Sequence, residues 1–410
     1  MDQALVSLLD LNGRLRSGSV KARDIIRQAV RALESERTPG GPVRFILERE
    51  SMNAARGVER ELGRGRTRGI LQGAPFGVSE LLQVSGRAPF WDAAAQPRQV
   101  KDAAAVSRLR SAKAIPLALL AAPALGGPAF RPPGAGDPCA AVVGRGQLPF
   151  AIGLDFCGNV LLSALRHGCW ALRPTFGTVS GFGTAPLSWT VAAVTAVAAT
   201  PEDCGHVLSA MSGSDSRCSH SPGRTFRYAP QYTRPPQELL VADGGAPAAV
   251  RAVLEKSGVP VRAAASPQGF PADIVEVTLA AEVCEALEDE LAASAEGREY
   301  WNQARELTAF DYLRAMRLRR ALQDEYNEAL AGAAAVVFSA DCLKEAGAEA
   351  GSHACRWLAT ALAVGAPLMV FGGAGQGFPA FCLTGRAGAE NTILKLASII
   401  REGFKPPGNS

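Results

Sequence analysis

Between Gly73 and Gly205 the chain repeatedly sets a short apolar run against a glycine- or proline-rich turn, at residues 116–120, 149–152 and 192–199. Apolar runs of about four to eight residues bounded by turn formers are how strands buried on both faces read. The pattern returns at residues 239–242 and 259–264, with a helical stretch at 246–257 between them, which predicts a βαβ-like unit. Residues 335–339, 368–371 and 378–383 are three closing strand candidates, and 391–401 is a closing helix. Strands covered on both faces need helices to cover them, and the sequence supplies these. Leu5, Leu8 and Leu9 open one amphipathic stretch. Val20, Ile25, Ile26, Ala29, Val30 and Leu33 mark a second, with Ser19 as its expected N-cap and residues 38–41 (T-P-G-G) ending it. Residues 54–62, 280–295 and 309–330 are further predicted helices, the last two with charged residues on solvated faces. The expected fold class is α/β.

Composition narrows the alternatives. With 410 residues, 47% of them hydrophobic and 20% charged, the chain buries a large core in one big α/β domain or two smaller ones, and collagen, coiled coil and a disordered tail are excluded. The 43 Lys and Arg against 39 Asp and Glu give a net charge of only +4, spread along helices rather than gathered in a block, so no strong nucleic-acid signal is present. No apolar run reaches the ~18 residues of a membrane span. The opening residues 1–10 carry acids at positions 2 and 10 and no basic region, so neither a signal peptide nor a membrane anchor is expected, and the cytoplasm or an organelle interior is the expected location.

The nine cysteines are an odd number, scattered without a C-x-x-C, and read as reduced thiols. Each of the four histidines has a cysteine two residues away: His167 and Cys169, Cys204 and His206, Cys218 and His220, His353 and Cys355. On a helix such a pair diverges by about 200°, so buried thiols and surface imidazoles are favoured over a metal site, and neither a metal nor another cofactor is expected. The glycine-arginine segment 63–69 lacks a preceding strand and a Walker lysine, and 372–377 lies between two strands with no helix after it. Both read as loops rather than phosphate cradles. Residues 212–236, rich in Ser, Arg and Pro, read as a surface excursion. Scanned for G-x-S-x-G, H-E-x-x-H or a Ser/His/Asp grouping near a strand end, the sequence yields no site.

Several segments, in order, do resemble those of a known family. Residues 17–20 (S-G-S-V) lead into an opening helix. Residues 69–78 (G-I-L-Q-G-A-P-F-G-V) are similar to a G-P-L-x-G-I-P-x-x-V strand, and 101–110 (K-D-A-A-A-V-S-R-L-R) to a D-A-T-x-V-x-R-L helix. Residues 150–159 (F-A-I-G-L-D-F-C-G-N) and 171–180 (A-L-R-P-T-F-G-T-V-S) resemble A-L-G-S-D-T-G-G-S-I-R and G-L-K-P-T-Y-G-x-V-S at the same spacing. Residues 186–190, 200–204, 312–322 and 378–386 resemble further landmarks. The chain thus resembles the amidase signature family, to which the A subunit of the tRNA-dependent amidotransferase belongs, over nearly its whole length.

The resemblance implies a single domain with a large, mixed, mostly parallel central sheet flanked by helices on both faces. Within it, residues 1–68 form an N-terminal helical layer, 69–210 a degenerate signature core, 211–236 the excursion and 237–410 a C-terminal α/β part. It also implies a chemistry, amide hydrolysis by a Ser, cis-Ser, Lys triad. A neutral lysine takes a proton through the bridging serine from the nucleophile, while backbone N–H groups of the D-x-G-G turn hold the oxyanion. Carried onto this chain, the lysine is Ser79, the bridging serine Ala135, the nucleophile Asn159, and the oxyanion turn Asp155, Phe156, Cys157 and Gly158. The arginine two after the nucleophile is Leu161, whereas Pro174 and Gly177 match and Arg173 keeps the charge of a lysine. No residue at the three triad positions can play its role.

A pseudoamidase acting as a binding or structural subunit, with a protein partner, is therefore expected, and no small-molecule ligand is specified. The alternative is an amidase-like enzyme, a hydrolase of C–N amide bonds, with a reassigned nucleophile such as Cys157 or Cys139, although no general base accompanies either thiol. A third reading is an active amidase with the triad misplaced, against which stand the anchors at 155–158 and 173–177, which leave no room for a serine at 159. The losses at Ala135 and Leu161 further suggest a more apolar or partly filled cavity.

Overall fold

A computed structural model describes residues 7–89, 91, 96–122, 136–221, 224–233, 238–242, 245–269, 271–288, 302–343, 352–373 and 378–404. Its centre is one eleven-stranded sheet. In chain order the strands are β1 (Val43–Ile46), β2 (Pro75–Ser79), β3 (Ile115–Leu120), β4 (Phe150–Asp155), β5 (Trp170–Arg173), β6 (Ala193–Ala198), β7 (Leu239–Ala242), β8 (Val261–Ala264), β9 (Ala335–Ser339), β10 (Leu368–Phe371) and β11 (Phe381–Gly385). Across the sheet they run β1-β3-β2-β4-β6-β5-β10-β11-β9-β7-β8. The large mixed sheet flanked by helices is as expected from the sequence. Its parallel pairs are confined to two wings, β3-β2-β4 and β9-β7-β8, and the six pairs that join and edge these wings are antiparallel. The sheet is therefore less parallel than the resemblance implied, because β6 inserts antiparallel between β4 and β5 and the β10-β11 hairpin follows.

Twelve helices are described: α1 (Leu8–Arg16), α2 (Ala22–Glu34), α3 (Glu48–Gly63), α4 (Ala104–Ser111), α5 (Pro138–Gly144), α6 (Asn159–His167), α7 (Pro201–Met211), α8 (Ala248–Lys256), α9 (Pro271–Ala286), α10 (Ala309–Ala329), α11 (His353–Val364) and α12 (Glu390–Gly403). α3 starts six residues before the expected 54, α5 and α7 are not anticipated as helices, and three more differ from the sequence reading. α2 is capped at Lys21, not Ser19, and in place of a cap side chain Glu59 of α3 accepts the N–H of Arg23 at 3.0 Å. α9 starts nine residues before the expected 280, at a proline that suits the first helical turn. α11, unanticipated, is capped by Ser352 and buries Trp357, Leu358 and Leu362.

β2 and β4 are parallel neighbours, so their C-terminal ends, Ser79 and Asp155, lie at the same edge of the sheet. Every residue of β2, β4, β5 and β6 is buried, as their continuous apolar runs require. The start of the 212–236 excursion is pinned: Arg108 donates to Met211 O (2.8 Å) and Ser214 O (2.7 Å), and the Ser180 hydroxyl donates to buried Asp215 (2.9 Å). Asp215 also pairs with Arg217 at 2.8 Å, and this hydrogen-bonded pairing holds its carboxyl well below the usual range.

Candidate functional site

The sheet edge at which β2 and β4 end holds two of the three positions singled out in the sequence. Ser79, in place of the lysine, is the last residue of β2 and fully buried, and its hydroxyl oxygen accepts the N–H of Leu81 at 3.3 Å. Asn159, in place of the nucleophile, is the first residue of α6 and is buried. Ala135 lies outside the described residues.

The turn between β4 and α6 is an anion-capped helix start. Asp155, fully buried, accepts the N–H of Gly158 at 3.1 Å through one oxygen and those of Val160 and Leu161 at 3.1 and 3.3 Å through the other, taking up donors that a helix N-terminus leaves orphaned. Gly158 has φ +83°, the left-handed region that only glycine occupies without strain. Gly153, below the turn, allows another close approach: an added Cβ would sit 3.1 Å from Val160 and 3.2 Å from the Cys139 sulfur.

The side chain of Asn159 folds back into this turn. Its Oδ1 accepts the N–H of Phe156 at 3.1 Å, and its Nδ2 donates to Leu154 O and to Asp137 Oδ2, each at 3.1 Å. Both N–H donors and the carbonyl of the amide are thus engaged within the protein. Two backbone N–H groups of the old oxyanion turn are engaged as well, that of Phe156 by Asn159 and that of Gly158 by Asp155.

Two further charged groups complete the site. Asp137 caps α5, accepting the N–H of Cys139 at 2.9 Å, while the Ser163 hydroxyl donates to its carbonyl at 2.8 Å. Burial pushes the Asp137 carboxyl up to about 6, against the hydrogen bonds from Cys139 and Asn159, and Asp155 adds to the rise. Arg173, at the end of β5, is fully buried, with Nε 3.5 Å from Asp155 and Nη2 donating to Val191 O. Burial raises the Asp155 carboxyl and lowers the Arg173 guanidinium to about 10, while each charge pulls the other back. Nη1 of Arg173 has no acceptor among the described residues. A buried ion pair of this kind fixes the geometry of two strand ends more than it adds stability.

Two cysteines lie near the turn. Cys139 is buried, its thiol donates to Ile152 O at 3.4 Å, and burial together with Asp137 raises it well above the ordinary thiol range. Cys157 is buried with Sγ 3.9 Å from Asn159 Oδ1. His167 closes α6, about 12 Å along the helix axis from the end that follows Cys157. Among the described residues no three His, Cys, Asp or Glu side chains converge as metal ligands. Cys204 and His206 turn to different neighbours, the thiol to Trp170 O and Ala196 O and the imidazole to the ring of Tyr228.

A cavity of about 220 Å³ opens beside the turn, lined mainly by apolar groups that include Leu154, Phe176, Trp189 and Val194, with Cys218 and His220 from the excursion at its wall. Its rim is tied down by a carboxylate absent from the sequence-based candidates. Glu282 of α9, buried, accepts from Ser188, from Thr190 Oγ1 at 2.7 Å and from the Tyr312 hydroxyl at 2.9 Å, and Arg319 of α10 donates to Thr190 O at 2.8 Å. No sequence signal sets it apart, since Glu276 and Glu285 flank it on the same helix.

A family model described as Amidase matches residues 137–243. The A subunit of glutamyl-tRNA(Gln) amidotransferase from Halalkalibacterium halodurans is 26% identical over 238 residues, covering 53% of this chain and 48% of that one. A putative amidase AmiD of Mycobacterium tuberculosis is 25% identical over 256 residues, 57% of this chain and 52% of that one. The chain spans about half the length of these curated relatives. Among solved structures, the native peptide amidase of Stenotrophomonas maltophilia superposes with a TM-score of 0.81 at 21% identity, covering 99% of each chain. A structure described as an unexpected vestigial protein complex that reveals the evolutionary origins of an s-triazine catabolic enzyme superposes with a TM-score of 0.80 at 20% identity over 97% of this chain and 98% of that one. At such identities the likeness to these structures is one of fold.

Proposed function

The chain belongs to the amidase-signature family, and we propose that within it this protein is a pseudoamidase, which keeps the frame of the catalytic turn without the chemistry and serves as a binding or structural subunit. The observation that carries this reading is the Asn159 side chain, which stands where the nucleophile is expected and has every donor and acceptor engaged. Amide hydrolysis needs an attacking group, a base to take its proton and N–H donors free to meet the developing oxyanion. A carboxamide is not a nucleophile, Ser79 offers no amine, and two N–H groups of the turn already have acceptors. The retained Asp155, Gly158 and Arg173 serve the fold, since they bind one another and the start of α6.

The subunit half of the proposal is supported by the shared fold with a protein whose structure is described as part of a vestigial complex. Among the described residues no helix is long and apolar enough to cross a membrane. A cytoplasmic or organelle-interior location remains part of the proposal. A reassigned nucleophile at Cys157 is the weaker reading, because that thiol is buried and His167, the imidazole on the helix that follows it, lies at the far end of α6.

The test is recovery of the tagged chain from its host at moderate salt, with ammonia release from a panel of carboxamides assayed on the eluate and on the chain alone. A stoichiometric second chain with no turnover by the lone protein is expected. Turnover by the lone chain overturns the proposal.

A further inference from the structure

A second cavity lies on the other side of the sheet from Ser79. Ser79 pairs with Leu120 in register, and the N–H of Glu80 bonds Leu120 O at 2.8 Å, so the strand continues through both residues and their side chains leave opposite faces. Leu119 pairs with Phe45 of β1 and Val78 of β2, which places these three on the face of Glu80. On that face opens a cavity of about 430 Å³, walled by Leu82, Val84, Pro89, Pro97 and Leu119, with Glu80 and Arg87 among its polar lining.

Arg87 is the group in it that lacks a partner. Its guanidinium lies 3.5 Å over the ring of Phe45, which covers one face of the cation and leaves its edge. On that edge Nε is buried and has no hydrogen-bond partner among the described residues. Two other arginines have such buried nitrogens, Arg110 and Arg173, and each stands beside a carboxylate, Asp102 at 3.0 Å and Asp155 at 3.5 Å. Arg87 forms no ion pair among the described residues. Glu80, the one acid lining the cavity, stands instead 3.5 Å from Arg44 Nε.

We propose that this cavity is a binding site for a small organic acid, whose carboxylate takes the Nε–H and the adjoining Nη N–H of Arg87 and whose apolar body lies against Leu82, Val84 and Leu119. The side-on edge of a guanidinium matches two coplanar oxygens, the geometry of a carboxylate. Apolar walls with few polar groups are the usual make-up of a small-molecule site. A neutral amide brings one acceptor oxygen and no charge. Phosphate, a dianion, would set a surplus negative charge near Glu80 and leave the apolar walls in water. The site stands apart from the old turn, so the proposal goes beyond the pseudoamidase reading and does not depend on it.

The test is calorimetric titration of the full chain with phenylacetate and hexanoate, with the amide of each, and with inorganic phosphate. At least one acid is expected to saturate a single site per chain and to bind at least about tenfold more tightly than its amide or phosphate. Arg87→Gln is expected to lower that affinity at least about tenfold at an unchanged urea midpoint, and Phe45→Ala about threefold. Absence of saturable binding by both acids, equal affinity for acid and amide, tighter binding of phosphate, or acid binding that survives Arg87→Gln overturns the proposal. A second measurement needs no variant. Phenylglyoxal labelling of Arg87 in the wild-type chain, read by peptide mass, is expected to fall in the presence of phenylacetate and not of phenylacetamide. Labelling of Arg87 unaltered by either acid overturns the proposal as well.

Discussion

The turn at residues 155–159 and the outer face of α10 treat polar groups in opposite ways. In the turn, two backbone N–H groups, both ends of an amide and a carboxylate are bonded inside the protein, and the charges are buried as a pair. On α10, the side chains of Arg314 and Arg317 stand in solvent beside Phe310, Leu313 and Leu318, which are themselves exposed. A turn whose side chains and two of whose N–H groups are already bonded internally has less left to offer a substrate, whereas a surface with exposed charge and exposed apolar area can still recognise something.

Substitutions sharpen that contrast, and the largest effect is expected at the buried acid. Asp155→Ala leaves Arg173 as an uncompensated buried charge and three N–H groups without an acceptor, a loss of about 3–5 kcal/mol by urea denaturation. Asp155→Asn, which keeps an acceptor, is expected to lose less.

Asn159→Ala is next. It orphans the N–H of Phe156 and removes a donor from Asp137, a cost of about 1–3 kcal/mol. Asn159→Ser restores a hydroxyl, and no ammonia release is expected from it, since Ser79 supplies no base.

The third effect is one of pH. Burial raises the Asp137 carboxyl from 3.8 to about 6, so between these values the folded chain holds a proton that the unfolded chain has released. The stability this group contributes is full below about pH 4 and is lost as pH rises through about 6. Asp203, also raised to about 6 by burial, acts in the same direction. The expected signature is therefore a difference between two curves, with Asp137→Asn losing less stability than the wild type over that window. Equal slopes would mean that Asp137 is not held in its neutral form.

The smallest effect is on the exposed face of α10. Phe310→Ser/Leu313→Ser is expected to shift stability by no more than about 0.5 kcal/mol per site. A larger loss would mean that this face is part of the fold and not a free surface.

Much of the frame is legible in the amino-acid sequence, because strands buried on both faces leave continuous apolar runs. Residues 116–120, 149–152, 192–199, 239–242 and 335–339 all lie in or overlap strands. Strand direction is not written in such runs, which is why they do not reveal the antiparallel joins at β6, β10 and β11. α11 escapes a periodicity argument because its sequence, H-A-C-R-W-L-A-T-A-L-A-V, is apolar on most faces and lacks the alternation that marks a half-exposed helix. At the site, the replacements at Ser79 and Asn159 are legible because a side chain's chemistry is fixed by its type. The bond from Asn159 to Asp137 is not, since it depends on how α5 docks against the start of α6, and the Glu282 anchor depends on α9 meeting a loop some ninety residues earlier in the chain.

The most direct test of the central claim is ammonia release by the purified wild-type chain from primary carboxamides, measured beside Cys157→Ala and a protein-free control. The account predicts that all three rates coincide. Wild-type turnover that disappears in Cys157→Ala would contradict it and identify a rebuilt catalytic site.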